Sequence, residues 1–123
     1  MTDKQIKEQL GRINARRVLF AGHFCKCGIV GKYIAGGKVI AVTSCTGLEY
    51  SDQFISRIFF RVFYAHLGAG RTYHEAYRAG ALMMKTEIEK AKASKIAGYE
   101  KFNQTPQIAG DEATKSERLF ERR

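Results

Sequence analysis

Two runs that are apolar on successive residues set the limits on this fold: residues 17–22, Arg-Val-Leu-Phe-Ala-Gly, and residues 38–44, Lys-Val-Ile-Ala-Val-Thr-Ser. A strand with one solvated face alternates apolar and polar side chains, whereas a strand covered on both faces does not. Between the runs, residues 28–35 have the length of a short crossover helix, and Gly36-Gly37 ends it. The stretch therefore predicts a parallel β-α-β unit and an α/β layered fold. Three thiols and an imidazole fall at its strand ends: His23, Cys25 and Cys27 after the first strand, Cys45 after the second. Open parallel sheets collect ligands and chemistry beyond the carboxyl ends of their strands. The expected site is there, and the expected chemistry is that of thiols.

The flanking segments supply helices. Thr2-Asp3-Lys4-Gln5 is a capping box, with Ile6, Leu10 and Ile13 on one face of the helix that follows. Gly11 weakens that helix and predicts an early end. Residues 52–67 give the clearest helix, capped by Ser51 or Asp52. Its polar stripe is only Gln53, Arg57, Arg61 and Tyr64, so it is expected to pack against more than one layer or against a partner. After the break at Gly68-Ala69-Gly70, Thr72-Tyr73-His74-Glu75 forms a second capping box and opens a helix that becomes Lys/Glu-rich towards Gly98. Residues 102–110 are irregular with room for one short strand. The division expected is an N-terminal helix (1–16), a main body (17–111) and a charged, mobile tail (112–123).

The 123 residues suit one modest domain. No apolar run is long enough to span a membrane; the most apolar stretch, residues 54–67, is broken by Arg57 and Arg61. The N-terminus has no signal-peptide character. A cytoplasmic protein without membrane association is the expectation. Three cysteines do not make a disulfide framework, and His-Phe-Cys-Lys-Cys lacks zinc-ligand spacing, so neither metal nor cofactor is expected. The net charge of +9 raises nucleic acid as a partner, but the basic residues are spread along the chain and mixed with Glu, which reads as a solvated surface rather than a nucleic-acid site.

Two secure strands and a third short one are few for a sheet, which usually carries about four to six. The chain thus reads as a partial three-layer fold, two to three parallel strands flanked by helices, and half of a larger unit. The rest is expected from an N-terminal half, another subunit or self-association.

Element order and several short motifs resemble the C-terminal half of the caspase-like cysteine peptidases, the group of caspases, legumain, gingipain and bacterial relatives. In that group a hydrophobic strand ends in a small residue and Cys-x-Ser-Gly, similar to Val18-Leu19-Phe20-Ala21-Gly22-His23-Phe24-Cys25-Lys26-Cys27-Gly28. A second strand ending in Ala-x-Thr-Ser resembles Ile40-Ala41-Val42-Thr43-Ser44, and an acidic, Ser/Tyr-bearing loop resembles Glu49-Tyr50-Ser51-Asp52. The aromatic helix, the glycine break and Thr-x-x-Glu-Ala are matched by Phe59 to Leu67, Gly70 and Thr72 to Ala76. Gln104-Thr105-Pro106-Gln107-Ile108-Ala109-Gly110-Asp111 matches a Gln-Thr-Pro-Gln-x-x-Gly-Asp segment of bacterial members.

The resemblance implies a cysteine endopeptidase acting on peptide or protein substrates. Two registers are open. In one, Cys25 is the nucleophile and Cys27-Gly28 replaces Ser-Gly. In the other, Gly22 is the small residue, His23 takes the nucleophile's place and Cys25 the serine's. The family's catalytic histidine lies on an earlier strand, in a His-Gly pair that this chain lacks. The candidate catalytic residues are Cys25 and His23, a local pair on one face of an extended chain. Ser44, Cys45 and Thr46 are the candidate pocket wall, because the end of the second strand borders the substrate pocket in the resembling fold. His66 and His74 receive no role, and Met83 and Met84 are expected to fill space. The functional expectation is a fragment or degenerate member of the group, inactive alone, or else a non-catalytic binding module on the same scaffold.

Overall fold

The computed structural model describes residues 2–120. Helix α1 (Asp3–Arg12) precedes strand β1 (Val18–Gly22), helix α2 (Cys27–Ile34) and strand β2 (Val39–Thr43). Then come α3 (Gln53–Gly68), α4 (Tyr73–Ala93), the short strand β3 (Gln107–Ala109) and one helical turn, α5 (Glu112–Lys115). β1 and β2 are parallel, Val18 opposite Val39 through Gly22 opposite Thr43. The β-α-β unit is therefore present, with its turn built on Gly36 and Gly37 at positive φ.

The third strand runs the other way. β3 pairs antiparallel with β2, Thr43 opposite Gln107 and Ala41 opposite Ala109, in the order β1-β2-β3. The chain is mixed α/β, not all parallel. Two helices, α3 and α4, intervene between β2 and β3, and the chain then re-enters the sheet at the carboxyl end of β2 and runs back along it. β2, as the central strand, is buried at every position. β1 is only half-buried at Leu19, Phe20 and Ala21, because among the described residues no strand pairs with its other edge. The bonds Val18 N–H to Lys38 O and Ser44 N–H to Gly22 O direct Val18, Phe20 and Gly22 towards β2. By alternation, the peptide groups of Leu19 and Ala21 face the open edge.

The two faces of the sheet have different packing. Ile40 and Val42, with Leu19, Ala21 and Ile108 beside them, meet Phe59, Phe60, Phe63, Leu67, Ala76, Met84 and Ile88 of α3 and α4 in one core. The rings of Phe59 and Phe60 meet edge-on at 4.9 Å, a favoured aromatic geometry. α3 and α4 pack closely at Gly80, where an added Cβ would sit 2.9 Å from the ring and carbonyl of Phe59. On the opposite face α2 lies on β2: a Cβ at Gly31 would sit 2.8 Å from Thr43 Cγ2 and 3.5 Å from Ala41 Cβ. α3 thus touches both the sheet and α4, which accounts for its broad apolar circumference. Phe54 stays outside this packing and is exposed.

Both capping boxes form, at Thr2 with Gln5 and at Thr72 with Glu75. α1 runs through Gly11 to Arg12 but has no buried residue. Ile6 and Leu10 on its apolar face are half-buried, and Lys7 Nζ is bonded to Tyr33 O at 3.1 Å and set over the Tyr33 ring. As far as Arg118 the charged tail makes contacts with the body. Arg17 and Glu117 form a two-pronged ion pair at 2.7 Å on each prong, Tyr73 N–H donates to Glu117 O, and Arg118 Nε donates to Gly70 O. No helix of the described residues is long and apolar enough to cross a membrane.

Candidate functional site

Three loops meet beyond the carboxyl ends of β1 and β2: residues 23–26, 44–52 and 103–106. The first begins where β1 stops at Gly22 and ends at Lys26, which takes φ 60° as the N-cap of α2 without any side-chain cap bond. Such a conformation is uncommon for a residue with a Cβ. Lys26 N–H is instead bonded to Glu49 O at 2.8 Å, and Ser44 N–H to Gly22 O at 2.9 Å, so the first two loops are bound along their length.

The third loop enters through Gln104, a buried side chain with all its polar atoms used. Its Nε2 donates to Ser44 O at 2.9 Å and to Ser56 Oγ at 2.8 Å, while its Oε1 accepts the N–H of Asp52 at 2.8 Å. The hydroxyls of Ser44, Ser51 and Ser56 continue the chain at 3.1 and 2.7 Å. Asp52 caps α3 through Ile55 N–H and accepts the Tyr99 hydroxyl at 3.2 Å. Glu49 makes a second clasp, its carboxylate accepting from Thr46 N–H, Thr105 N–H and the Thr105 hydroxyl. Among the described residues no buried side-chain nitrogen or oxygen lacks a partner. The network is therefore of the satisfied kind that fixes one arrangement.

The cysteines divide into two environments. Cys25 is exposed, and the N–H of Ser51 points at its sulfur at 3.4 Å. Cys27 and Cys45 are fully buried with their sulfurs 3.4 Å apart. Cys45 Sγ–H donates to Phe24 O at 3.3 Å and Cys27 Sγ–H to Gly22 O at 3.4 Å. Burial raises the Cys45 thiol to about 11, because the thiolate loses solvation there.

The sequence candidates are distributed as follows. Cys25 reaches solvent beside Ser51. His23 is also exposed, its ring 5.5 Å from Phe60. It lines a groove of about 320 Å³ with Ala21, Gln53, Arg57, Arg61 and Tyr64. Among the described residues no hydrogen bond joins His23 to Cys25, and no imidazole or carboxylate is bonded to the Cys25 sulfur. Ser44 and Cys45 are buried, their side chains turned to Ser51 and to Cys27; Thr46 is partly exposed, its hydroxyl accepting Leu48 N–H. His23 and the cysteines do not converge on a cluster able to hold a metal ion among the described residues.

The residues to which the sequence reading gave no role in the site are Gln104, Glu49, Ser51 and Ser56. The signal for the first was the Gln-Thr-Pro-Gln segment itself, whose leading Gln is the hub of the site. Ser56 sits in an apolar stretch of α3, where a buried hydroxyl needs a partner. Compared with protein-family models, curated proteins and solved structures, the chain matches none of them.

Proposed function

We propose that this chain is a fragment or degenerate member of the caspase-like cysteine endopeptidases and does not cleave peptide bonds by itself. The observation that carries the reading is the setting of Cys25: an exposed thiol beyond the carboxyl end of a parallel strand, with a backbone N–H at its sulfur and, among the described residues, no base bonded to it. Gln104, from the segment that carries the resemblance at 104–111, ties together the loops around that thiol. A nucleophilic cysteine needs a partner to take its proton, and His23 faces Phe60 instead. The base would come from a completing segment, an N-terminal half or a second copy, laid along the open edge of β1. In the completed site the Cys25 sulfur attacks the peptide carbonyl carbon, a histidine protonates the leaving amine, and water releases the acyl group from sulfur. Backbone N–H groups hold the oxyanion during both steps.

The test is turnover of a fluorogenic peptide panel by the purified chain, alongside its Cys25→Ala variant. No cysteine-dependent turnover is expected; turnover lost in the variant would refute the claim of inactivity. Gain of Cys25-dependent turnover on adding a completing segment would identify the peptidase fragment directly.

A second reading, a binding module without catalysis, is favoured by the groove between His23 and α3 beside the β1 edge that no strand among the described residues pairs with. It expects association measurable by light scattering, or apolar dye binding at Phe54 and Tyr64, both exposed. A monomer that binds no dye counts against it.

A further inference from the structure

We propose that Cys27 and Cys45 are a redox modification site, a buried dithiol that closes to a disulfide under peroxide and reopens under thiol reductants. The two sulfurs lie 3.4 Å apart, 18 positions apart in sequence, with nothing between them. A disulfide is about 2.05 Å long, so closure needs an approach of about 1.4 Å.

Three backbone features hold the pair together. A Cβ on Gly28 would sit 2.8 Å from Cys45 O, Thr46 C and Gly47 N, so the first turn of α2 rests directly on the chain leaving β2. Ser44 N–H to Gly22 O on one side and Lys26 N–H to Glu49 O on the other bracket the contact. The thiols do not have to find each other by opening the fold. Neither thiol is the nucleophile of the peptidase reading, and the dithiol rests on their own contact, so the proposal stands whether or not Cys25 is a nucleophile.

The chemistry balances with a peroxide as oxidant. The sulfur of one thiol attacks a peroxide oxygen; the S–O bond forms as the O–O bond breaks, giving a sulfenic acid and one water that carries off the thiol proton. The second sulfur then attacks the first, displacing the hydroxyl as a second water and forming the S–S bond. Two electrons pass from the pair to the peroxide, and both thiol hydrogens leave in the waters. The product welds the start of α2 to the exit of β2. It also removes the S–H donors from Phe24 O and Gly22 O, which lie on either side of His23. The loop carrying Cys25 therefore differs between the two states.

The test uses the full chain, as wild type and as Cys25→Ser so that the exposed thiol does not compete. Reduced protein is treated with hydrogen peroxide, then denatured and labelled with N-ethylmaleimide. The expected result is, in Cys25→Ser, an intact mass lower by two hydrogens with no label, and in wild type no label on Cys27 or Cys45; in both, Cys27 and Cys45 lie in one linked peptide pair that dithiothreitol reopens. The oxidised form is expected to melt about 10 °C higher, as a short cross-linked loop should. Cys45→Ser in the same background should abolish both the linkage and the shift. Labelling of both cysteines after peroxide, oxygen adducts without linkage, or linkage only between molecules would each overturn the proposal.

Discussion

Gln104 Nε2 donates to the main-chain oxygen of Ser44 at 2.9 Å, across 60 positions of sequence. This one bond joins the end of the central strand to the loop before β3. The same amide holds Ser56 and Asp52, so the start of α3 is fixed to the same point.

Gln104→Ala should therefore be among the most damaging single changes in the chain. It leaves the Ser44 carbonyl and the Asp52 N–H without their partner and takes one of two bonds from the Ser56 hydroxyl, which keeps Ser51; each buried orphan costs about 1–3 kcal/mol. A loss of about 2–4 kcal/mol is expected in urea unfolding, allowing for water entering the space. An unchanged midpoint would show that the clip contributes nothing to stability.

Gly80→Ala should destabilise although alanine favours helix by about 1 kcal/mol. The new methyl would meet Phe59 at 2.9 Å, including the Phe59 carbonyl, which belongs to the backbone of α3 and cannot rotate away. The helices must part, and overpacking of this kind costs about 1–3 kcal/mol. Thermal melts of the two proteins give the sign directly.

The Arg17–Glu117 pair predicts a specific acid response. Hydrogen bonds from Arg17 hold the Glu117 carboxyl below the ordinary range. A depressed folded-state value contributes stability that is complete above the unfolded value and disappears as pH falls through the folded one. Glu117→Gln should therefore melt below wild type at pH 7, and the difference should close in acid, below the usual glutamate range near 4.5. A gap that is the same at neutral pH and in strong acid would argue against the ion pair.

Thiol labelling should separate the cysteines by environment. Iodoacetamide at mildly alkaline pH should modify Cys25 in the native protein, since it alone is exposed. Cys27 and Cys45 should react only after denaturation, because both are buried and the Cys45 thiol is pushed up to about 11. Rapid native labelling at all three would mean that the α2–β2 contact opens readily.

The sequence by itself determined the β-α-β unit, the glycine turn before β2, both capping boxes and the polar stripe on α3. Each is a local matter: apolar continuity over six or seven residues, a side-chain cap three residues from its partner, or a helical period. Only the tertiary structure decided the direction of β3, because three residues carry no signal for parallel or antiparallel pairing. Only it separated His23 from Cys25. Two residues apart in an extended chain they share a face, but β1 ends at Gly22 and the loop turns His23 onto Phe60. Cys27 meeting Cys45, Gln104 meeting Ser44, and Arg17 meeting Glu117 are likewise long-range contacts, fixed by how the layers stack and by the need of every buried polar group for a partner.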